Sequence, residues 1–191
     1  LRKIKEKQKR ERKRELMLSQ QLAQVDLAEE TGIIYTHLAR CGLPGDVQLL
    51  DKRGKIVHIE LDAVKFIVQK KAAPIKSTIV TLMYQGQVKA CQEKVNAIFD
   101  LLERCQKKRI WDRDTALIRN NNIGFIDSRA IYIDTGKLAR CNDAPAIVYA
   151  KYDLKRLKPF GKWLTDHYPP LADTFSKRAR QYIENSKAIP G

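Results

Sequence analysis

Residues 112–136 read DRDTALIRNNNIGFIDSRAIYIDTG, and the fold prediction is decided in this stretch. Residues 123–126 and 130–133 are short apolar runs rich in isoleucine, which predicts two strands joined by a tight turn. A polar loop with three consecutive asparagines precedes the first strand, and Asp-Thr-Gly at residues 134–136 follows the second. The stretch therefore predicts a small β-hairpin whose strand ends carry oxygen-bearing side chains.

The segment before this stretch predicts one long buried helix. Between residues 87 and 107, apolar side chains recur every three or four positions, as on one face of an α-helix. They are Val88, Cys91, Val95, Ile98, Leu102 and Cys105. Both cysteines of this stripe are therefore expected to lie in the core.

A second hairpin is predicted nearer the N terminus. Residues 47–50 and 55–61 flank a turn that ends in Gly54, and glycine supplies the positive φ that such a turn needs. Apolar and polar residues alternate in the second of these strands, so one of its faces is expected to be buried.

Helices are predicted for most of the remaining chain, with Asp62 as the N-cap of the third. They cover residues 1–31, 33–39, 63–73, 74–84, 154–167 and 171–185. The expected fold class is α+β, mostly helical, with short β-hairpins and an N-terminal basic helix. The expected organisation is a basic helical arm (residues 1–28), a core (residues 29–141) and C-terminal helices (residues 142–191).

The chain is strongly basic, which favours an anionic partner. Lysine and arginine number 37 against 22 acidic residues, for a formal net charge of +15. Such a surplus is typical of proteins that bind nucleic acid or another polyanion. No apolar run approaches the ~20 residues of a membrane span. Four widely spaced cysteines suit a reducing compartment, so a cytoplasmic protein is expected, and they form no C-x-x-C pair that would indicate a zinc or redox motif.

Residues 112–136 resemble the catalytic and metal-binding loops of the protein-kinase-like phosphotransferases. Asp-Arg-Asp at residues 112–114 is similar to the family's His-Arg-Asp motif, and it also follows a long buried helix. Asp-Thr-Gly at residues 134–136 is similar to the Asp-Phe-Gly motif, and residues 120–122 lie where the family places its catalytic-loop asparagine. The resemblance covers about residues 29–140 and implies a kinase-like C-terminal lobe of a divergent bacterial type.

The resemblance implies a role for each matching residue. Asp114 would be catalytic, because a carboxylate there orients the acceptor hydroxyl and takes its proton. Asn121 or Asn122, together with Asp134, would bind Mg²⁺ and through it ATP. Glu30, or the glutamate before it, would be the acid that pairs with the family's phosphate-positioning lysine. The implied function is ATP- and Mg²⁺-dependent phosphotransfer, or that of a pseudokinase-like fragment.

The sequence departs from the family's pattern at several positions. Asp112 stands in place of the histidine, Thr135 in place of the phenylalanine, and Arg119 falls where the asparagine is expected, so a loop insertion must be assumed. No Gly-rich phosphate loop or Val-Ala-Ile-Lys-like strand precedes the first helix, and the family's lysine therefore has no match. Retained catalysis and a non-catalytic descendant both stay open.

A non-catalytic basic module that binds nucleic acid or another polyanion is the alternative. Its basic clusters lie at residues 2–14, 107–109, 151–158 and 177–180. Trp111, Tyr152 and Trp163 lie near these clusters and either stack on bases or, as is more common, pack in the core. A scaffold role, in which residues 1–22 pair with another helix, is a third possibility.

Overall fold

The computed structural model describes residues 2–114, 122–141 and 143–189, and it shows the mostly helical α+β structure that the sequence predicts. The helices are α1 (Arg2–Gln21), α2 (Ala28–Thr31), α3 (Ile75–Tyr84), α4 (Val88–Lys107), α5 (Ala146–His167) and α6 (Pro169–Lys187). The strands are β1 (Ile33–His37), β2 (Asp46–Leu50), β3 (Ile56–Glu60), β4 (Phe66–Gln69), β5 (Ala73–Pro74), β6 (Ile110–Asp112), β7 (Ile123–Ile126), β8 (Arg129–Tyr132) and β9 (Leu138–Arg140).

The long helix α4 lies at the centre of the core, as predicted. Its apolar stripe is buried, including both cysteines, and α4 packs against α6 on one side and β8 on another. The ring of Phe99 lies 5.4 Å from that of Phe175 and 6.0 Å from that of Tyr182. Burial of each large apolar side chain contributes about 1.5–3 kcal/mol, so this contact zone is a main source of stability.

Two antiparallel strand pairs hold the stretch that decided the fold prediction. β7 pairs with β8, from Ile123 opposite Tyr132 to Ile126 opposite Arg129, which confirms the predicted hairpin. β6 pairs with β9, with Asp112 opposite Leu138. β5 extends the first pair by hydrogen bonding to β7, which brings the two backbones together at Gly124. A Cβ at Gly124 would lie 2.8 Å from the carbonyl oxygen of Ala73, so only glycine fits there.

The predicted N-terminal helix is present, but it is interrupted. A π-helical turn (Leu22–Asp26) separates α1 from α2. The chain then leaves the helix at Gly32, which has φ of +63°. Glycine tolerates this left-handed conformation, and it ends the helix.

The predicted helix over residues 33–39 is wrong, because residues 33–37 form β1. The predicted helix over residues 63–73 is also wrong: those residues include β4 and the start of β5. β1 and β4 pair antiparallel, with His37 opposite Phe66. Their β-branched and aromatic side chains favour strands once a partner is available, and this distant pairing overrides the helix-like apolar spacing.

The hairpin of β2 and β3 is confirmed, but its predicted buried face is wrong. The side chain of Asp51 accepts the backbone N–H groups of Arg53 and Lys55, and Gly54 has φ of +77° in the turn. Val57 is nevertheless 40% exposed and Leu50 is 72% exposed. The hairpin extends from the core, so alternation along the strand does not correspond to burial.

The C-terminal helices are present as α5 and α6, although α5 begins earlier than predicted, at Ala146. They pack against each other and close the core around α4. Within the described ranges, none of the helices combines the length and the apolar character that crossing a bilayer requires.

Candidate functional site

The candidate site lies where the ladders β6–β9 and β7–β8 end. The backbone N–H of Arg113 donates to the carbonyl oxygen of Lys137 at 3.0 Å, which continues the β6–β9 ladder by one step. The backbone N–H of Ile133 donates to the carbonyl oxygen of Asn122 at 2.8 Å, which does the same for β7–β8. Residues 112–114 therefore lie beside residue 137, and residue 122 lies beside residues 133–134.

Asp112 fixes the first of these segments from within the core. Its Oδ1 accepts the backbone N–H of Asp114 at 2.9 Å, and its Oδ2 lies 2.8 Å from Nη2 of Arg156 on α5. Nη1 of Arg156 also donates to the backbone oxygen of Asp112 at 2.7 Å. The two side chains are only 2% and 3% exposed, so this is a buried ion pair. Asp112 thus holds the backbone of the segment that carries Asp114.

Asp112 and Arg156 belong to a larger buried group, the Arg156 cluster, which also contains Trp111, Asp153 and Tyr182. Asp153 receives hydrogen bonds from Nη1 of Arg156 at 3.0 Å, from Nε1 of Trp111 at 3.0 Å and from the Tyr182 hydroxyl at 2.8 Å. Burial raises the pKa of Asp153 to about 6 and also raises the pKa of Asp112. Desolvation explains both upward shifts of pKa, and the hydrogen bonds and the shared guanidinium of Arg156 oppose them only in part.

Asp114 faces a cation. Its Oδ2 lies 3.4 Å from Nζ of Lys137, and its side chain is 19% exposed. Lys137 directly follows the Asp-Thr-Gly turn, so the pair joins the two segments that the sequence singled out. No lysine was predicted there, although its place one residue after Gly136 was a usable signal.

Asp134 is exposed at the end of β8, and its Oδ1 accepts the backbone N–H of Gly136 at 2.9 Å. A Cβ at Gly136 would lie 3.2 Å from the same oxygen, so the turn is tight around the carboxylate. Asn121 and Asn122 are the other predicted metal ligands. Asn122 is 9% exposed and lies beside Ile133, whereas Asn121 lies outside the described residues.

Helix α1 holds the Asp-Thr-Gly turn through buried polar groups. The hydroxyl of Ser19 donates to the carbonyl oxygen of Thr135 and accepts the backbone N–H of Leu138 at 2.7 Å. The hydroxyl of Thr135 donates to Oε1 of Gln20 at 3.0 Å. Thr135 is 4% exposed, so a buried, hydrogen-bonded threonine anchors the turn to α1.

Glu30 belongs to a buried ion-pair group at the C-terminal end of α4. It is 1% exposed, with Oε1 at 3.2 Å from Nε of Arg104 in the last turn of α4 and Oε2 at 2.8 Å from Nζ of Lys108, which directly follows α4. The acid of α1 nearest to the site is instead Glu15, which lies 3.7 Å from Arg113. Leu16, its neighbour, would contact a Cβ at Gly136 at 3.8 Å, which places this part of α1 beside the turn.

The aromatic residues considered for base stacking are packed against other rings. The Trp111 ring lies 5.2 Å from the Tyr149 ring and 5.0 Å from the Tyr152 ring, and the Trp163 ring stacks on Phe160 at 5.8 Å. Trp111 and Trp163 are half-buried, whereas Tyr152 is 36% exposed.

Together these residues provide two kinds of chemistry. Asp114 can accept a proton, and Asp134 and Asn122 are hard oxygen donors of the kind that Mg²⁺ prefers. Lys137 adds a positive charge that can neutralise a phosphate. Comparison of the chain with models of protein families, with characterised proteins and with solved structures gave no match.

Proposed function

We propose that residues 112–114, 122 and 134–137 form a kinase-like phosphotransfer site that takes ATP with Mg²⁺. The observation that supports the proposal is the connection of the two segments through Lys137, whose carbonyl oxygen accepts the Arg113 N–H and whose Nζ lies 3.4 Å from Oδ2 of Asp114. In the proposal, Asp134 and Asn122 at the end of the β7–β8 ladder complete the site with a metal-binding acid and an amide. Phosphoryl transfer depends mainly on such positioning and charge neutralisation, with little covalent chemistry from the protein.

In this proposal Asp114 orients the acceptor hydroxyl and takes its proton. The ion pair with Lys137 limits rotation of the carboxylate, and the backbone contact from Asp112 fixes its main chain. Lys137 is 57% exposed, so its ammonium group can also contact a phosphate that enters the site. This lysine supplies part of the charge that the family's phosphate-positioning lysine would supply.

The donor types, a carboxylate and an amide oxygen, fit Mg²⁺. Asp134 is an exposed carboxylate held by the Gly136 N–H, and Asn122 lies at the adjoining strand end. These two residues would hold the ion, which would neutralise phosphate charge in the site. The role of Asn121 stays a prediction, since it falls outside the described residues.

The order of elements supports the same proposal. A long helix, the β1–β4 pair, two helices, the two short ladders and a final helical pair follow the kinase-like order from the regulatory helix onward. Within that order the acid on α1 that lies at the level of the Asp134 turn is Glu15. In the proposal, Glu15 and not Glu30 is therefore the acid that would pair with a phosphate-positioning cation.

The substitution of histidine by Asp112 is compatible with this proposal. Asp112 fixes the backbone at Asp114, because its carboxylate accepts the Asp114 N–H while Arg156 neutralises its charge. A charged residue at a buried position is tolerated when it is paired and hydrogen-bonded.

The test is the thermal stability of the chain with ATP, with and without Mg²⁺. Ligand binding to the native state at a tenfold excess over Kd should raise Tm by about 3–6 °C. Asp134→Asn should lose the Mg²⁺-dependent part of this shift. Asp127→Asn is the matched control, since Asp127 lies in the turn at the opposite end of the same hairpin and should leave the shift unchanged.

Two results would refute the proposal: no shift at millimolar ATP and Mg²⁺, or an equal shift in the wild type and in Asp134→Asn. Transfer of labelled phosphate separates the enzyme from the pseudokinase-like protein. A nucleotide-dependent shift without transfer supports binding alone.

Polyanion binding through the basic arm stays a prediction of the sequence. Residues 6–14 of α1 are exposed, so their charges are accessible. The aromatic residues that would add base stacking are packed against other rings, however. The structure therefore gives this alternative less support than the phosphotransfer site.

A further inference from the structure

His37, Cys41 and Asp62 come together away from the candidate phosphotransfer site. One ligand atom from each of the three lies within 4.8 Å of the other two. His37 ends β1, Cys41 follows it in a loop, and Asp62 lies in the 3₁₀ turn Leu61–Ala63 after β3. The group therefore closes the base of the segment that joins β1 to β4 and carries the β2–β3 hairpin.

The imidazole of His37 has an unusual environment. The residue is 2% exposed, and its ring stacks on Phe66 with centroids 5.2 Å apart. Nε2 is buried, and its polar neighbour Oδ1 of Asp62, at 3.4 Å, does not meet hydrogen-bond geometry. A buried polar atom without a hydrogen bond is unfavourable, so this nitrogen is suited to bind a metal ion.

Asp62 and Cys41 approach different nitrogens of the imidazole. Nε2 lies 3.4 Å from Oδ1 of Asp62, and Nδ1 lies 3.8 Å from Sγ of Cys41. Zinc binds nitrogen and oxygen at about 2.0–2.2 Å and sulfur at about 2.3 Å in a tetrahedron, which separates neighbouring ligands by roughly 3.3–3.6 Å. The Nε2–Oδ1 distance already matches this value.

The remaining two ligands are held differently. Oδ1 of Asp62 accepts the backbone N–H groups of Cys41 at 2.8 Å and Leu43 at 3.2 Å, so the loop is already folded around the carboxylate. Cys41 is exposed, and its Sγ lies near Nδ1 of His37, so the proposed site requires a rotation of the Cys41 side chain toward Nε2.

We propose that His37, Cys41 and Asp62 bind one Zn²⁺ ion, with Nε2 as the histidine ligand and solvent in the fourth position. One nitrogen, one thiolate and one carboxylate suit zinc, whereas Mg²⁺ and Ca²⁺ prefer oxygen ligands alone. The ion joins the two ends of the segment over residues 38–61 and fixes the base of the hairpin to β1.

The experiment uses the full chain without an affinity tag, stripped of metal under reducing conditions and titrated with Zn²⁺ and with Co²⁺. One Zn²⁺ per chain is expected. Co²⁺ should give visible bands of a tetrahedral site and a thiolate-to-cobalt charge-transfer band in the near ultraviolet. Zn²⁺ should also protect the Cys41 thiol from alkylation, while the other three cysteines are buried and react slowly in either state.

Two variants make the test specific. Cys41→Ser should abolish the charge-transfer band and weaken Zn²⁺ binding by at least about tenfold, since a thiolate ligand is lost. Because Cys41 is exposed, this variant should keep the metal-free Tm. His58→Ala is the matched control: His58 forms an exposed pair with Asp46 at 3.5 Å, and its loss should leave zinc binding unchanged.

The proposal is overturned if the chain shows no saturable Zn²⁺ binding. It is also overturned if Co²⁺ binds without the charge-transfer band, or if Cys41→Ser binds Zn²⁺ as the wild type does. In those cases the three residues are a hydrogen-bonded group only.

Discussion

Arg156→Met removes the one cation that neutralises Asp112 and Asp153 while keeping a side chain of similar length on α5. The guanidinium makes three hydrogen bonds to these two residues, at 2.7, 2.8 and 3.0 Å. Methionine replaces the aliphatic stem, so the packing of α5 is largely kept. The variant therefore isolates the electrostatic part of the Arg156 cluster.

The expected loss of unfolding free energy is about 3–5 kcal/mol near pH 8, the usual cost of removing one partner from a buried ion pair. The loss should shrink at lower pH. Burial holds the pKa of Asp112 and of Asp153 above the ordinary value, and removal of the guanidinium raises both further. Each carboxyl group then becomes protonated in the folded state at a pH where the unfolded chain is still ionised, so falling pH restores stability to the variant.

Urea denaturation followed by tryptophan fluorescence measures this effect at pH 5 and pH 8. Trp111 lies in the cluster and hydrogen-bonds to Asp153, so it reports on the same region. Arg156→Lys keeps the charge but not the fork of donors, and it should cost less than Arg156→Met. The control is Lys162→Met, which breaks an exposed pair with Asp166 on the same helix and should cost no more than about 0.5 kcal/mol.

The reasoning is refuted if Arg156→Met lowers the free energy of unfolding by less than about 1 kcal/mol at pH 8, because removing one partner of a buried ion pair usually costs about 3–5 kcal/mol. A loss of equal size at pH 5 and pH 8 would refute the assignment of the effect to the two carboxyl groups.

Two further predictions concern the same core. Asp153→Asn removes a carboxyl group whose pKa in the folded protein is about 6, against an ordinary value of 3.8. As pH rises from 4 to 7, this group ionises in the unfolded chain before it ionises in the folded protein. The unfolding free energy of the wild type should therefore fall relative to that of the variant by roughly 1–3 kcal/mol. Parallel urea-denaturation profiles over that range would contradict this. Gly124→Ala should cost about 1–3 kcal/mol, because the added methyl group would lie 2.8 Å from the Ala73 oxygen and force β5 from β7. Thermal unfolding measures it, with Ser128→Ala in the exposed hairpin turn as a neutral control.

The sequence predicted the elements whose signals are local. The stripe of α4 repeats over five turns, and no strand can bury side chains at that spacing. The β2–β3 turn is determined locally, because Asp51 and Gly54 favour the bend independently of the rest of the chain. The two strands of the β7–β8 hairpin are also close in sequence, so their pairing depends on neighbouring residues.

The failures occurred where distant residues decide the structure. β1 and β4 pair across a segment of more than twenty residues, and apolar spacing in each alone fits a short helix as well as a strand. The exposed faces of β2 and β3 show a related limit. Alternation predicts that one face differs from the other, but only the tertiary arrangement determines what covers it.

The candidate site was predicted in part for the same reason. Asp114, Asp134 and Asn122 were proposed as site residues from their order and from the strands around them. Arg156 was assigned to a basic surface cluster, because the sequence does not show that an arginine on α5 is buried against residue 112, 44 positions away. The group of His37, Cys41 and Asp62 was also missed, because paired cysteines were the signal sought for zinc.

The two acids of the proposed phosphotransfer site are held by different parts of the molecule. Asp114 is fixed by Asp112, and through it by Arg156 on the C-terminal helix α5. The turn that carries Asp134 is fixed by Ser19 and Gln20 on the N-terminal helix α1. The backbone hydrogen bond between Arg113 and Lys137 and the ion pair of Lys137 with Asp114 connect the two segments. A displacement of α1 therefore changes the position of Asp134 more than that of Asp114, and the separation of the two carboxylates depends on how α1 packs.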